Sequence, residues 1–302
     1  MEISKNSIDS QFSKTGVFRD NGEPAKNKHS HSSPMSLREP LSTTYEVNRG
    51  SLMKMRYFQT RKIKTIELKF AALLRDELSH LPKQLTIEQI PQHIDRIKTF
   101  TDKCHYFFDE YISQVLKQHT AKISCKANCP NCCHHYPMSI EPFELISIYS
   151  TLREQATAVQ STCEANEKPH NEEEFALLIE GCLKREREYN HKLTDTAFDI
   201  DTALQKYFSL AIPCPFLYGG NCGIHEYRPF TCQMYFCMSD PKYCDPKHLQ
   251  PHKNKSFAIY LPEHLENLIL EISAHYSSID LQESLYGGIA ELHLLMINSK
   301  NC

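Results

Sequence analysis

The sequence predicts a mainly α fold, a helical bundle with irregular cysteine-rich metal-binding loops and a short hairpin. Three observations predict it. Apolar residues recur at helical spacing through most of the chain after residue 50, strands do not alternate with helices, and nine of the 13 cysteines fall in two stretches that break the helical period.

Taken in order, residues 1–50 are rich in Ser, Asn, Lys, His and Pro and poor in large apolar side chains. Burial there cannot offset the entropy lost on ordering, so a disordered tail is expected, with His29 and His31 exposed to solvent. Residues 51–120 read as an N-terminal helical region. In it Ile94, Ile97, Cys104, Phe108, Tyr111 and Val115 share one helix face, and Pro91 suits a first helical turn. The basic run Lys54, Arg56, Arg61, Lys62 and Lys64 reads as a solvated face.

Residues 121–250 read as a cysteine-cluster domain that also carries helices. One begins near Pro142 and buries Leu145, Ile146, Tyr149 and Leu152. Another is announced by Asn171 and Glu174 at capping-box spacing, followed by Phe175, Leu178, Ile179 and Cys182. Residues 251–302 read as C-terminal helices packed on that domain. Leu265, Leu268, Ile269 and Ile272 mark one; Leu281, Leu285, Ile289 and Leu292 mark the last, interrupted by Gly287 and Gly288.

Composition sets the chemistry these elements serve. At 302 residues and 40% hydrophobic the chain can bury a core without a metal to rescue it. With 34 basic against 37 acidic side chains there is no footprint for nucleic acid. No run approaches the ~20 apolar residues of a membrane span, and Met1 to Gly22 lacks the apolar core of a signal peptide. The expected location is therefore cytoplasmic, where thiols stay reduced and clustered cysteines point to metal or catalysis before disulfides. The odd count of 13 and the adjacent pair Cys132 and Cys133 agree.

The first cysteine stretch, Ser124 to Met138, contains Cys125-x3-Cys129-x2-Cys132-Cys133-His134-His135. Cys129-x2-Cys132 has the spacing of a metal knuckle, in which a tight turn aims two thiolates at one ion, about 2.3 Å from each sulfur if the ion is zinc. Pro130 biases Cys129 away from helical angles. Cys132 and Cys133 should point in different directions, so one of them is open to a second ion or a structural role. His134 and His135 are outer-layer partners or exposed.

The second stretch, Pro213 to His248, holds Cys214, Cys222, Cys232, Cys237 and Cys244. Gly219, Gly220 and Asn221 form a turn signal that places Cys214 and Cys222 on the arms of a hairpin-like loop. Peptide N–H groups in such turns hydrogen-bond to sulfur and spread its charge, and Arg228 adds a nearby cation. Cys222-x2-His225 has knuckle spacing, yet a surface histidine is the commoner outcome, so His225 is left off the ligand set. Cys104 and Cys182 lie on apolar helix faces and read as core residues. Cys163 and Cys302 have no partner motif.

These two stretches resemble the YkgJ-like family of cysteine-cluster proteins, described as zinc- or iron-chelating. The residues carrying the resemblance are Cys125, Cys129, Cys132, Cys133, Cys214, Pro215, Phe216, Leu217, Cys222, Ile224, Glu226, Arg228, Pro229, Cys232 and, more loosely, Cys244. His225 stands where that family has Tyr, and Gln233 where it has Arg. The resemblance implies that Cys125, Cys129, Cys132, Cys133, Cys214, Cys222, Cys232 and Cys244 bind metal, and leaves Cys237 outside the pattern.

Two cofactors suit an all-thiolate set. An iron–sulfur centre, of the four-iron type, would serve electron transfer or sensing; structural zinc would staple loops so that the helical body meets a protein partner. A third reading, enzymatic, takes Cys125-x3-Cys129-x2-Cys132 as the spacing of clusters that use S-adenosylmethionine, and some members of the resembling family are described as protein lysine methylases. No nucleophile-elbow or phosphate-loop motif is present among 9 glycines in all.

Overall fold

In the computed structural model, the described residues are 40–43, 55–118, 123–125, 129–158, 172–248 and 253–298, with residues 40–43, 55, 56 and 158 described as backbone only. They are mainly helical, with three two-stranded antiparallel ribbons.

The first ribbon pairs β1 (Pro40–Thr43) with β2 (Met55–Phe58), Pro40 opposite Phe58 and Thr43 opposite Met55. Pro40–Thr43 thus departs from the disordered tail expected over residues 1–50. Its partner lies further along the chain, and a local reading of composition does not supply long-range pairing.

From β2 the chain enters α1 (Arg61–His80), whose start is fixed by the Thr60 side chain accepting from the Ile63 N–H at 3.1 Å. Ile63, Ile66, Phe70, Ala71 and Leu74 form its buried stripe, and it stops at Leu81, before Pro82. A 3-10 turn then leads into α2 (Ile90–Leu116), with Pro91 in its first turn as expected. Its buried face includes Ile97, Cys104, Phe108, Tyr111 and Val115, again as the periodicity requires. Glu77, buried on α1, is answered by Arg96 of α2 at 2.9 Å, so the charge taken out of water keeps a partner.

The helix α3 (Pro142–Ala158) is buried on every side from Phe143 to Tyr149. It is accordingly the central rod, touching α2, then α4 (Glu172–Asp195) and the last helix of the chain. Three acidic residues, Glu172, Glu173 and Glu174, open α4 and favour its positive end. Asn171, the expected cap of this helix, lies outside the described residues, as do Cys163, Cys302, His29 and His31. Then α5 (Ile200–Ser209), capped by Asp199, returns against α4.

The second cysteine stretch follows as β3 (Leu217–Tyr218), β4 (Asn221–Cys222), a single turn of helix α6 (Phe230–Gln233) and β5 (Tyr235–Cys237). After a 3-10 turn at Pro241–Cys244, β6 (Ser256–Ala258) pairs with β5. Two helices close the body: α7 (Glu263–Ala274) on α1, and α8 (Leu285–Asn298) on α3 and α4.

The break expected at Gly287 and Gly288 does not occur. Both glycines lie inside α8, and Leu281 lies before it. They are there for close packing: a Cβ on Gly288 would stand 2.4 Å from Leu145 Cδ1 of α3, and one on Gly287 would stand 2.7 Å from Glu186 Oε2 of α4. The conformational cost of two helical glycines is accepted so that three helix backbones can approach one another.

Candidate metal centre

The two cysteine stretches, about eighty residues apart in sequence, are joined in space by main-chain and side-chain hydrogen bonds. The N–H of Cys214 donates to the carbonyl of Cys133 at 2.7 Å. The N–H of Ser124 donates to the carbonyl of Cys237 at 2.7 Å, and the N–H of Cys237 returns to Cys125 Sγ at 3.2 Å. Asn131 Nδ2 donates to the Pro241 carbonyl at 2.5 Å.

Local sequence explains each arm. Pro130 sets up a 3-10 turn at Asn131–His134, closed by the Cys133 N–H on the Pro130 carbonyl at 2.9 Å. On the other arm β3 and β4 pair Leu217 with Cys222 and Tyr218 with Asn221 around Gly219 and Gly220. Both glycines take positive φ, 55° and 87°, which a two-residue hairpin turn demands and a side chain resists. The expected hairpin is therefore present; Cys222 lies in it, and Cys214 precedes it, with its carbonyl accepting from Leu217 at 3.0 Å. Phe216 and Ile224, at 0% and 2% exposure, anchor the loop in the core.

Cys232 rides on α6, which is tied to the body from beneath. The Phe230 N–H donates to Glu144 Oε1 at 2.9 Å, and the same oxygen lies 3.3 Å from His105 Nε2. The Phe230 ring sits 5.0 Å from that of His105 and 4.8 Å from that of Phe108. Gln233, where the resembling family has Arg, is buried and donates to the Arg228 carbonyl at 2.6 Å. His225 is exposed in the turn His225–Tyr227, and His134 faces the Asn131 carbonyl at 3.3 Å.

The thiols fall into two neighbourhoods. In the first, Cys132, Cys133, Cys214, Cys222 and Cys232 act on one another's charge. Desolvation pushes Cys214 up to about 12, with Cys222 and Cys132 adding to the shift. Desolvation likewise raises Cys222 and, further, Cys232. Cys132 moves the other way, down to about 7, because Cys133 hydrogen-bonds to it and Arg228 stands near. Arg228 also favours the ionised form of Cys222, which is the part its sequence position suggested.

In the second neighbourhood, Cys237 and Cys244 both donate to Asn254 Oδ1, and Cys125 is tied to the main chain of Cys237. Cys237 was outside the family pattern, and nothing in its local sequence beyond its stretch marked it out. It is nonetheless buried, with Sγ 3.1 Å from Ser239 Oγ and 3.8 Å from Asn254 Oδ1. Cys244 Sγ lies 3.9 Å from the same Asn254 oxygen. Cys125 and Cys132 are exposed; Cys129, Cys133, Cys214, Cys222, Cys232 and Cys244 are half-buried. Cys104 and Cys182 are fully buried in the apolar core.

The donor chemistry fits a soft cation, since a concentration of thiols that resist ionisation is relieved when a metal takes the place of their protons. The side chains as they stand do not yet converge: among the described residues no three His, Cys, Asp or Glu groups are gathered to hold an ion. No family model, curated protein or solved structure matches the chain, so the resemblance to cysteine-cluster proteins rests on its motif residues alone.

Proposed function

We propose that this protein holds a metal centre, zinc or a four-iron iron–sulfur cluster, through thiolates of its two cysteine stretches: Cys125, Cys129, Cys132, Cys133, Cys214, Cys222, Cys232 and Cys244. The observation that carries the reading is the bond from the Cys214 N–H to the Cys133 carbonyl at 2.7 Å, which brings cysteines from distant parts of the sequence onto one patch. Backbone that is otherwise poor in regular structure is held there by turns, and turns of this kind supply N–H groups to ligating sulfur.

The residues divide the work. Cys132 and Cys133 on the 3-10 turn, Cys214 before the hairpin, Cys222 in it and Cys232 on α6 present the ligands. Arg228 offsets their negative charge. Glu144, His105 and Phe108 hold α6 in place from the helical body. An iron–sulfur cluster would supply reversible one-electron chemistry; zinc would supply a cross-link between loops. The role that follows is electron transfer or sensing in the first case and presentation of a surface to a protein partner in the second.

The test is metal analysis by mass spectrometry on anaerobically purified full-length chain, paired with an absorption spectrum. Iron and sulfide with a broad band near ~400 nm select the cluster; zinc with no visible band selects the staple, because its d shell is filled. Protein that purifies without metal and takes up neither zinc nor iron contradicts the reading.

A further inference from the structure

We propose that the groove between α1 and α2 binds a small anion carrying a planar aromatic ring, of the nucleoside monophosphate class. The site lies on the helical body and is independent of the metal reading, since no described cysteine lines it.

The groove holds a cavity of about 540 Å³, within the ~300–1,000 Å³ of small-molecule sites. Arg61, Lys62 and Lys69 line it from α1, and Tyr106, Phe107 and Glu110 line it from α2. Its apolar lining is continuous with the core. Ile66 is 8% exposed, and the Phe107 ring lies against that of buried Phe70, 5.6 Å away and 21° from parallel.

The first argument is charge. Three cations meet one carboxylate, Glu110, at this cavity, in a chain whose formal net charge is -3. Among the described residues none of the three has an ion-pair partner. Arg61 and Lys62 also open α1, whose first turn holds no acidic residue, so their charge adds to the positive end of the helix. Both belong to the basic run expected to be a solvated face. Like charges crowded at a helix start are locally unfavourable, and an anion in the cavity relieves them.

The second argument is the company the cations keep. Tyr106 is 62% exposed beside the cavity, and its ring is set edge-on to Phe107 at 5.4 Å, which leaves ring surface open to a stacking partner. Inorganic phosphate would use the cations and leave Tyr106 and the apolar lining uncovered. A neutral apolar ligand would leave three cations without a partner. A ring stacked on Tyr106 with its phosphate on Arg61, Lys62 and Lys69 uses both, and the Glu110 carboxylate accepts an N–H or O–H of the base or sugar.

The experiment is calorimetric titration of the full-length chain at low salt with adenosine monophosphate, with inorganic phosphate and with adenosine. The nucleotide should bind at least about tenfold more tightly than either fragment, because only it engages both the cations and Tyr106. Lys69→Gln should weaken nucleotide and phosphate alike, by roughly three- to tenfold. Tyr106→Ala should weaken the nucleotide by about tenfold and leave phosphate unchanged, while Tyr106→Phe keeps the nucleotide affinity. Both positions are exposed, and thermal unfolding checks that each variant keeps the parent's stability. A parent that binds no nucleotide overturns the proposal. So does phosphate bound as tightly as the nucleotide, which would make the groove an anion patch with no place for a ring. Nucleotide affinity unchanged in both Lys69→Gln and Tyr106→Ala overturns it as well, by putting the ligand elsewhere on the chain.

Discussion

The helical body and the cysteine loops place the same residue type in opposite surroundings. In the body Cys104 and Cys182 are at 0% exposure among Leu, Ile and Phe, and burial raises both thiols well above their ordinary range. In the loops Cys125 and Cys132 reach the surface and Cys237 sits among hydroxyls. The body is held by apolar area removed from water; the loops are held by hydrogen bonds between segments that share little regular structure.

If that division is right, changes in the body should cost the most. Phe108 is 1% exposed and packs on Phe230, so Phe108→Ala should destabilise the protein by about 3–5 kcal/mol. Thermal unfolding followed by circular dichroism measures this. A loss under ~1 kcal/mol would mean that the α2–α6 contact is not part of the core.

The seam between body and loops comes next. Glu144→Ala leaves the Phe230 N–H and the His105 ring without their shared acceptor, at a cost of about 1–3 kcal/mol. The same variant should speed alkylation of Cys232 more than that of Cys125, because only Cys232 rides on the turn that Glu144 holds. Equal acceleration at both positions would remove Glu144 from its anchoring role.

Gly288→Ala should cost up to about 2 kcal/mol. The added methyl would stand 2.6 Å from the Gln282 carbonyl and 2.4 Å from Leu145 Cδ1, and overpacking of ~1–3 kcal/mol outweighs the ~1 kcal/mol that alanine gains in a helix. A stabilised variant would show that α8 does not pack closely on α3.

A further effect is one of pH. Burial pushes Glu141 up from an ordinary 4.5 to about 7, while Ser273 donates to it. Between those values the folded chain keeps a proton that the unfolded chain has lost, so stability is fully present below pH 4.5 and declines as pH rises through about 7. Glu141→Gln should flatten that decline in denaturant titrations across the window. An unchanged slope would put the titration elsewhere.

The two regions also differ in how far the sequence discloses them. Amphipathic spacing marked α2, α3, α4, α7 and α8, because a stripe such as Ile97, Cys104, Phe108, Tyr111 and Val115 is a local pattern with a single burial solution. It failed at Gly287 and Gly288, where local propensity predicts a break and tertiary packing requires a helix. In the loops, the hairpin around Gly219 and Gly220 was legible from turn chemistry. The meeting of Cys133 with Cys214, and of Cys125 with Cys237, was not, since contacts across some eighty to one hundred and ten residues leave no periodic trace. Cys237 escaped for the same reason: its hydrogen-bond partner Asn254 lies just before the strand across the ribbon, and Ser256 lies in it.

The most direct measurement is X-ray absorption at the edge of whichever metal the purified full-length chain carries. A first shell made of sulfur alone, at about 2.3 Å if the metal is zinc, is the predicted result. A shell of oxygen and nitrogen with no sulfur would contradict the account, since metal would then be bound away from the cysteine loops.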